Sequence, residues 1–599
     1  MSEDVKHECA VAMVVLRKAT AATGDFGGTK LSLLLEKQHN RGQDGAGAAF
    51  LSADPEPGET PYRIFKSASA TPLVDVLGMI SKRDKAQERI FLGHLRYATF
   101  GKNNVAFCHP FVHEASDLGH TLLLAGNFNL TNAAELFDDY RRHGSFPTSK
   151  ADGYLITELI SREAAKGSNI ASAIEKALAG ADGAWTLCGM TGDGWAFATR
   201  DPHGIRPGFC YIDEDVVVVA SERPAIQAAF DVPPEAVKEL PAGETLVVSP
   251  KGEVEFCATT QPPNHQTTKP ISRPCSFERI YFSRANDADI HRERKALGAA
   301  LLPEILKAAN APIEDIFFSY IPNSARIAFH GLLEELFSSV IASQRQSLGG
   351  MVVKWCDSSS TQPPNHKTTK PPNCLPRFGE IAVKDAKFRT FIADAAARRE
   401  FYKHVYDVTY GLVRPGRDTL VVLDDSIVRG NTMKNAILPM LDRLGPKRIV
   451  IASSAPPIRY PDCYGIDMST LGELVAFKAL MNLLGEDAES ELRSAAATGA
   501  QNPLAPLYAR FSEEQHSAEI ARLLTPPGIK AEVVVVYQTV ENLSRCLTIR
   551  LRQGSGGQAQ LPNHIGDWYF TGDYPTPGGY KVLRNAIANY LARNNERSY

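Results

Sequence analysis

A multidomain chain of mixed α/β and α+β class is what the sequence predicts, on three observations. Its 599 residues exceed what one hydrophobic core organises, so two or more domains are expected. A strand–loop–helix–strand unit can be read between Thr419 and Ala452. A Pro-, Thr- and Gln-rich stretch, residues 259–274, separates that unit from an amino-terminal half that opens on the apolar run Cys9–Leu16.

Composition narrows the function classes. With 65 Lys+Arg against 68 Asp+Glu the net charge is −3, which argues against a nucleic-acid or membrane-surface partner. The ten cysteines include no Cys-x-x-Cys pair, as expected of reduced thiols and not of a zinc ribbon. No window has the apolar length of a membrane span, and Met1–Glu8 lacks the apolar centre of a signal peptide. A cytoplasmic location is expected.

The stretch Thr419–Lys434 carries the most chemistry. Leu420–Leu423 is wholly apolar, the mark of a strand buried on both faces. Asp424 and Asp425 follow it, then a loop with Arg429 and Gly430. Met433, Ala436, Ile437, Met440, Leu441 and Leu444 recur at helical spacing until Gly445-Pro446, and Ile449–Ala452 reads as the next strand. A loop that opens a helix after a buried strand presents free N–H groups and the positive end of the helix dipole to a phosphate. Adjacent carboxylates suit a diol or a hydrated Mg²⁺. Together these describe a phosphorylated sugar.

Val422-Leu-Asp-Asp-Ser-Ile-Val-Arg-Gly-Asn-Thr432 resembles the phosphoribosyl-pyrophosphate (PRPP) motif of type I phosphoribosyltransferases. The resemblance implies PRPP contacts at Asp424, Asp425, Ser426, Val428, Arg429, Gly430, Asn431 and Thr432. That family usually has Thr at position 431; the amide of Asn431 can still donate to a phosphate.

In the amino-terminal half, Cys9 alone reads as a small core residue. Four further stretches change that: Gln38-His-Asn-Arg-Gly-Gln-Asp-Gly-Ala-Gly47, Gly93-His-Leu-Arg-Tyr-Ala-Thr-Phe-Gly101, Gly126-Asn-Phe-Asn-Leu-Thr-Asn132, and Asp152. In this order they are similar to the class II glutamine amidotransferase domain, an N-terminal-nucleophile (Ntn) hydrolase of αββα layers. The resemblance implies that Cys9 is freed by loss of an eight-residue propeptide. A terminal α-amine can take the thiol proton, and an internal amide cannot. It also implies glutamine binding by Arg41, Arg96 and Asp152, with an oxyanion hole from Asn127 and the N–H of Phe128.

Departures from the family pattern are Ala10 after the nucleophile, Asn40 inserted before Arg41, and Phe128 where Gly is common. Phe tolerates positive φ poorly, so strain is expected at 128 if the family's backbone is kept. The Asn40 and Phe128 features resemble a longer bacterial subtype.

Ala198–Pro207, Val219–Pro224, Cys275–Arg284 and Ala288–Gly298 are similar to the amidophosphoribosyltransferase family in particular. By that resemblance the turn after the strand Ile316–Tyr320 lies beside pyrophosphate and metal, making Ser324 a Mg²⁺ candidate with Asp424 and Asp425. Lys384, Lys387 and Arg389 resemble a loop that covers PRPP. The polar segments 260–270 and 361–371 are near-identical insertions without hydrophobic periodicity. Only Cys546 lies beyond Cys463, too few for an iron–sulfur cluster there.

The expected layout is a propeptide at 1–8, a glutaminase domain at 9–255, and a linker at 256–275. A type I phosphoribosyltransferase domain with a parallel sheet follows at 276–475, then a helical extension at 476–599. The resemblance implies an enzyme that moves ammonia from glutamine to C1 of PRPP, giving phosphoribosylamine at the start of purine synthesis. It further implies Mg²⁺, purine-nucleotide feedback inhibitors and a homo-oligomer, dimer or tetramer. The competing readings are a PRPP-binding regulator or inactive paralogue, and an amidotransferase with a different ammonia acceptor.

Overall fold

The computed structural model of the chain describes residues 8–18, 25–52, 55–56, 58–83, 87–98, 104–258, 272–347, 376–384, 406–547 and 565–594. The first 258 residues hold two stacked antiparallel sheets. One has seven strands, in the order Lys238–Glu239, Phe209–Ile212, Val216–Ala220, Ala10–Leu16, Glu88–Arg96, Gly45–Ser52 and Tyr62–Ser67. The other has six, in the order Val254–Ala258, Glu244–Val248, Ala196–Arg200, Gly183–Thr191, Leu122–Leu130 and Phe111–His113.

Strand periodicity explains the layers. Along Ala10–Leu16 every residue is buried. Val11, Met13 and Val15 point into the space between the sheets, among Leu92, Leu123, Cys188 and Leu246. Ala12, Val14 and Leu16 point the other way, onto Leu31, Leu34 and Leu35 of the helix Phe26–Lys37. The outer face of the six-stranded sheet is covered by Leu155, Ile156 and Ile160 of the helix Asp152–Ala164 and Ile174 of Ile170–Leu178. The result is the four-layered αββα arrangement expected.

Five parallel strands make the second sheet: Arg377–Phe378, Ile316–Tyr320, Thr419–Asp424, Arg448–Ser453 and Glu532–Tyr537. The two apolar runs read around the Asp pair are its neighbouring central strands, paired Leu420 to Ile449 through Asp424 to Ser453. Met433, Ile437, Met440 and Leu441 pack on one sheet face; Leu301, Leu302, Ile305 and Leu332 pack on the other. Leu306, the neighbour of Ile305, is 36% exposed.

The stretch 476–599 is largely helical where described, but it also lends the sheet its edge strand, Glu532–Tyr537. The run Val533–Val536 is β-branched throughout, which favours a strand over the expected helix. The last helix, Pro577–Leu591, returns to the first domain. Its Gly578 N–H donates to Asp182 at 2.9 Å, and Thr576 Oγ1 donates to the same carboxylate at 2.7 Å. No helix among the described residues is long and apolar enough to cross a membrane.

Candidate active sites

Cys9 sits immediately before the first strand. Its sulfur accepts the Tyr97 N–H at 3.3 Å and lies 3.7 Å from the Tyr97 carbonyl. Burial pushes the thiol up to about 11. Asp152 and Asp44 reinforce that shift, while the Tyr97 hydrogen bond and the Arg96 charge oppose it. Joined to Glu8 by a peptide bond, Cys9 has no amine of its own, and at neutral pH such a thiol is almost wholly protonated.

Arg96 ends the strand Glu88–Arg96, buried, with its guanidinium 5.8 Å from the Phe107 ring centre. Asp152 opens the helix Asp152–Ala164, half-buried, and its carboxylate accepts the Gly153 N–H at 3.0 Å. Burial raises it to about 6; backbone N–H groups and Arg96 pull against that. Cys9, Arg96 and Asp152 therefore lie within one another's electrostatic reach.

Asn127 and Phe128 lie on Leu122–Leu130, opposite Thr186 and Trp185. Phe128 does not have the positive φ that was feared. Among the described residues the non-glycine positions with positive φ are Asp231, Asn310 and Arg593. The ring of Phe128 packs 5.5 Å from that of His109, and a Cβ on Gly153 would stand 3.0 Å from its tip. Gly153 on the neighbouring helix thus leaves room for two rings, Phe128 and the still nearer Phe111, 2.4 Å from such a Cβ. Ala10 is a fully buried sheet residue paired with Leu95.

Arg41 is placed differently from the glutamine contact expected. It is buried, donating from Nε to Glu222 at 2.7 Å and from both Nη atoms to Glu278 at 2.9 and 2.8 Å. Glu278 belongs to the segment that leads into the second half, so Arg41 ties the two halves together.

Sequence reasoning passed over four groups here. His94 and His109 are buried rings stacked 3.8 Å apart at 6°. His94 Nε2 lies 3.0 Å from the Gly126 carbonyl, and the Gly126 N–H donates to His109 Nδ1 at 3.2 Å. The pair grips both polar groups of the residue before Asn127. Burial drives His94 down to about 3 and His109 well below its usual range, so both rings are neutral. Glu8 and Arg206, the other two, form a buried ion pair. His94 and Arg206 stood inside quoted motifs, but nothing local to any of the four announces these contacts.

The second site lies at the carboxyl ends of the parallel strands, where open α/β sheets bind ligands. Asp425 is buried; Ser426 Oγ donates to it at 2.9 Å and the Ser324 hydroxyl donates to its other oxygen. Burial raises its pKa, opposed by these two hydroxyls and the Arg294 charge. Asp424 accepts the Asp425 N–H at 2.9 Å. The structure so brings Ser324, Asp424, Asp425 and Ser426 together.

The loop then turns at Gly430, whose φ is +78° and whose missing Cβ would stand 2.3 Å from Leu524 Cδ2. Helical geometry begins at Asn431 and Thr432, so their N–H groups are those a helix start leaves open. Val428 is core: its carbonyl accepts the Val475 N–H at 2.9 Å. Arg429 turns away from the loop, donating to Glu473 at 2.7 Å and the Asp467 carbonyl at 2.9 Å. Lys384 ends a short strand paired with Tyr406–Val408; its side chain, Lys387 and Arg389 lie outside the described residues.

An αββα sandwich with a cysteine just before its first strand is followed by a parallel α/β sheet with an Asp-Asp-Ser loop at its carboxyl ends. The chain is similar to amidophosphoribosyltransferases. It is 26% identical over 452 residues to the Staphylococcus aureus (strain COL) enzyme, covering 74% of this chain and 76% of that one. It is 28% identical over 447 residues to one from Staphylococcus epidermidis, with the same coverage. One from Archaeoglobus fulgidus is 26% identical over 399 residues, 66% of this chain and 74% of that one. No protein-family profile matches the chain. Among solved structures, the glutamine PRPP amidotransferase of B. subtilis, complexed with ADP and GMP, superposes with a TM-score of 0.64 at 24% identity. It covers 95% of this chain and 97% of that one.

Proposed function

We propose that this chain is a glutamine-dependent amidophosphoribosyltransferase. The observation that carries the reading is the union, in one chain, of a cysteine nucleophile beside Arg96 and Asp152 with an Asp-Asp-Ser phosphosugar loop at the end of a parallel sheet.

The glutamine half-reaction follows from the side chains. Once Cys9 is the first residue, its α-amine, with a pKa near neutrality, takes the thiol proton. Arg96 pairs with the carboxylate of the substrate and Asp152 with its ammonium. The thiolate attacks the amide carbon, and the Asn127 amide with the Phe128 N–H receives the oxyanion. Ammonia leaves, and water releases glutamate from the thioester.

At the second site Asp424 and Asp425 hold the ribose hydroxyls, and the N–H groups from Val428 to Thr432 hold the 5-phosphate. Ammonia then displaces pyrophosphate from C1. Two carboxylates and the Ser324 hydroxyl form an all-oxygen donor set that fits Mg²⁺, which when bound offsets the charge of the leaving pyrophosphate. A cytoplasmic homo-oligomer, a dimer or tetramer, inhibited by purine nucleotides completes the reading; the B. subtilis neighbour was solved with ADP and GMP.

The test is glutamate release with and without PRPP and Mg²⁺, alongside PRPP consumption. The expected result is a low glutaminase rate that rises with PRPP and tracks pyrophosphate formation. PRPP binding without glutamate release would establish a regulator instead.

A further inference from the structure

The residue before Cys9 is not a loose leader residue. Glu8 is 2% exposed. Its carboxylate meets three groups from three separate stretches: Arg206 Nη1, Arg41 Nη1 at 3.6 Å, and Asn127 Nδ2, which donates at 3.3 Å. Arg206 is itself buried, and its Nε has no hydrogen-bond partner among the described residues. Burying an ion pair costs several kcal/mol per charge before attraction offsets it. A segment that only masked an amine would need no such nest and would lie on the surface.

The Asn127 contact matters most. An amide that donates to a carboxylate is not available to a developing oxyanion, because its direction and proton are already committed. In the uncut chain the glutaminase is therefore blocked twice: Cys9 has no α-amine, and Asn127 is occupied.

We propose that Glu8 is the positioning residue through which the chain holds its own Glu8–Cys9 bond for cleavage, and that its departure opens the oxyanion hole. The proposal rests on the reading of Cys9 as an amino-terminal nucleophile. Cleavage adds one water across the peptide bond: hydroxyl to the Glu8 carbonyl carbon, proton to the Cys9 nitrogen. The products are a leader ending in the Glu8 carboxylate and a free Cys9 amine. The hydrolysis creates the base, and departure of the cut leader then releases Asn127. Arg41 keeps Glu222 and Glu278 afterwards, so the boundary between the halves survives the loss.

The experiment uses the full chain as wild type, Glu8→Ala, Glu8→Gln and Glu8→Asp. Pulse-labelling with intact-mass readout gives the rate at which chains starting at Cys9 appear. Removing the charge in Glu8→Ala or Glu8→Gln is expected to slow that rate at least tenfold, with Glu8→Asp between these and wild type. PRPP turnover with added ammonia, which does not use Cys9, reports whether each variant is folded. A chain expressed as Met followed directly by Cys9, trimmed by aminopeptidase, should show full glutaminase activity without Glu8. Wild-type cleavage rates in folded Glu8→Ala and Glu8→Gln would overturn the role of Glu8 alone. Uncut wild type that still hydrolyses glutamine would overturn the nucleophile reading, and this proposal with it.

Discussion

The two sites are assembled on opposite plans. The proposed glutamine site draws Cys9, Arg96, Asn127 and Asp152 from four separate places on two antiparallel sheets and a helix. The proposed phosphosugar site takes most of its groups from one unbroken stretch, Asp424–Thr432, with Ser324 from the turn after the neighbouring strand. In the first, geometry comes from sheet packing, and each residue is meaningless alone. In the second, a strand end, a turn and a helix start suffice. A scattered site depends on the whole domain being folded, whereas a local loop depends on its own backbone.

The largest effect should separate the two sites outright. Cys9→Ala should lower glutamine-dependent synthesis by ~10³-fold or more, while synthesis from added ammonia stays within about threefold of wild type, since among the described residues the hydrogen bonds of Cys9 go to Tyr97 and not to the second site. Steady-state rates with each nitrogen source check this; a parallel loss of both would mean the sites are not separable.

Asp425→Asn should do the reverse. Ammonia-dependent synthesis should fall ~10²-fold, because a buried acceptor of two hydroxyl hydrogen bonds is altered. Glutamate release without PRPP should hold. Gly430→Ala tests the claim that the loop depends on its backbone. With φ at +78° and Leu524 Cδ2 where the methyl would go, the KM for PRPP should rise about tenfold, with a stability loss of ~1–2 kcal/mol. An unchanged KM would mean that the helix start alone sets phosphate affinity.

A further effect concerns acid and acts on stability, not on either rate. His94 has a folded pKa depressed to about 3 from 6.5, and His109 is depressed as well. Above about pH 6.5 neither folded nor unfolded chain protonates them. Below it the unfolded chain takes up a proton on each, and the folded chain does not until the folded pKa is reached. Stability should fall by ~1.4 kcal/mol per pH unit for each histidine in that window. Urea midpoints at pH 7 and pH 5 measure it, and His109→Gln should flatten the slope.

Legibility follows the same division. The phosphosugar loop was readable because its chemistry is contiguous: an apolar strand, two carboxylates and a glycine at the turn. The candidate glutamine residues stand out only as an ordered set of motifs, and Arg41 shows the limit of that. A buried arginine reads alike whether it meets a substrate or, as here, Glu222 and Glu278 across a boundary. Glu8 was invisible because a segment expected to leave invites no structural reading. Val533–Val536 was passed over because helices surround it on both sides, although four β-branched residues in a row gave the local signal.

The late edge strand Glu532–Tyr537 sets a timetable for biosynthesis. Both antiparallel sheets are complete once residue 258 has emerged, so that half can fold while the ribosome is still at work. The parallel sheet must wait almost 280 residues longer for its border, leaving Arg448–Ser453 exposed as a template for stray pairing meanwhile. Nascent chains stalled before residue 532 should therefore need chaperone cover that chains stalled just beyond 258 do not.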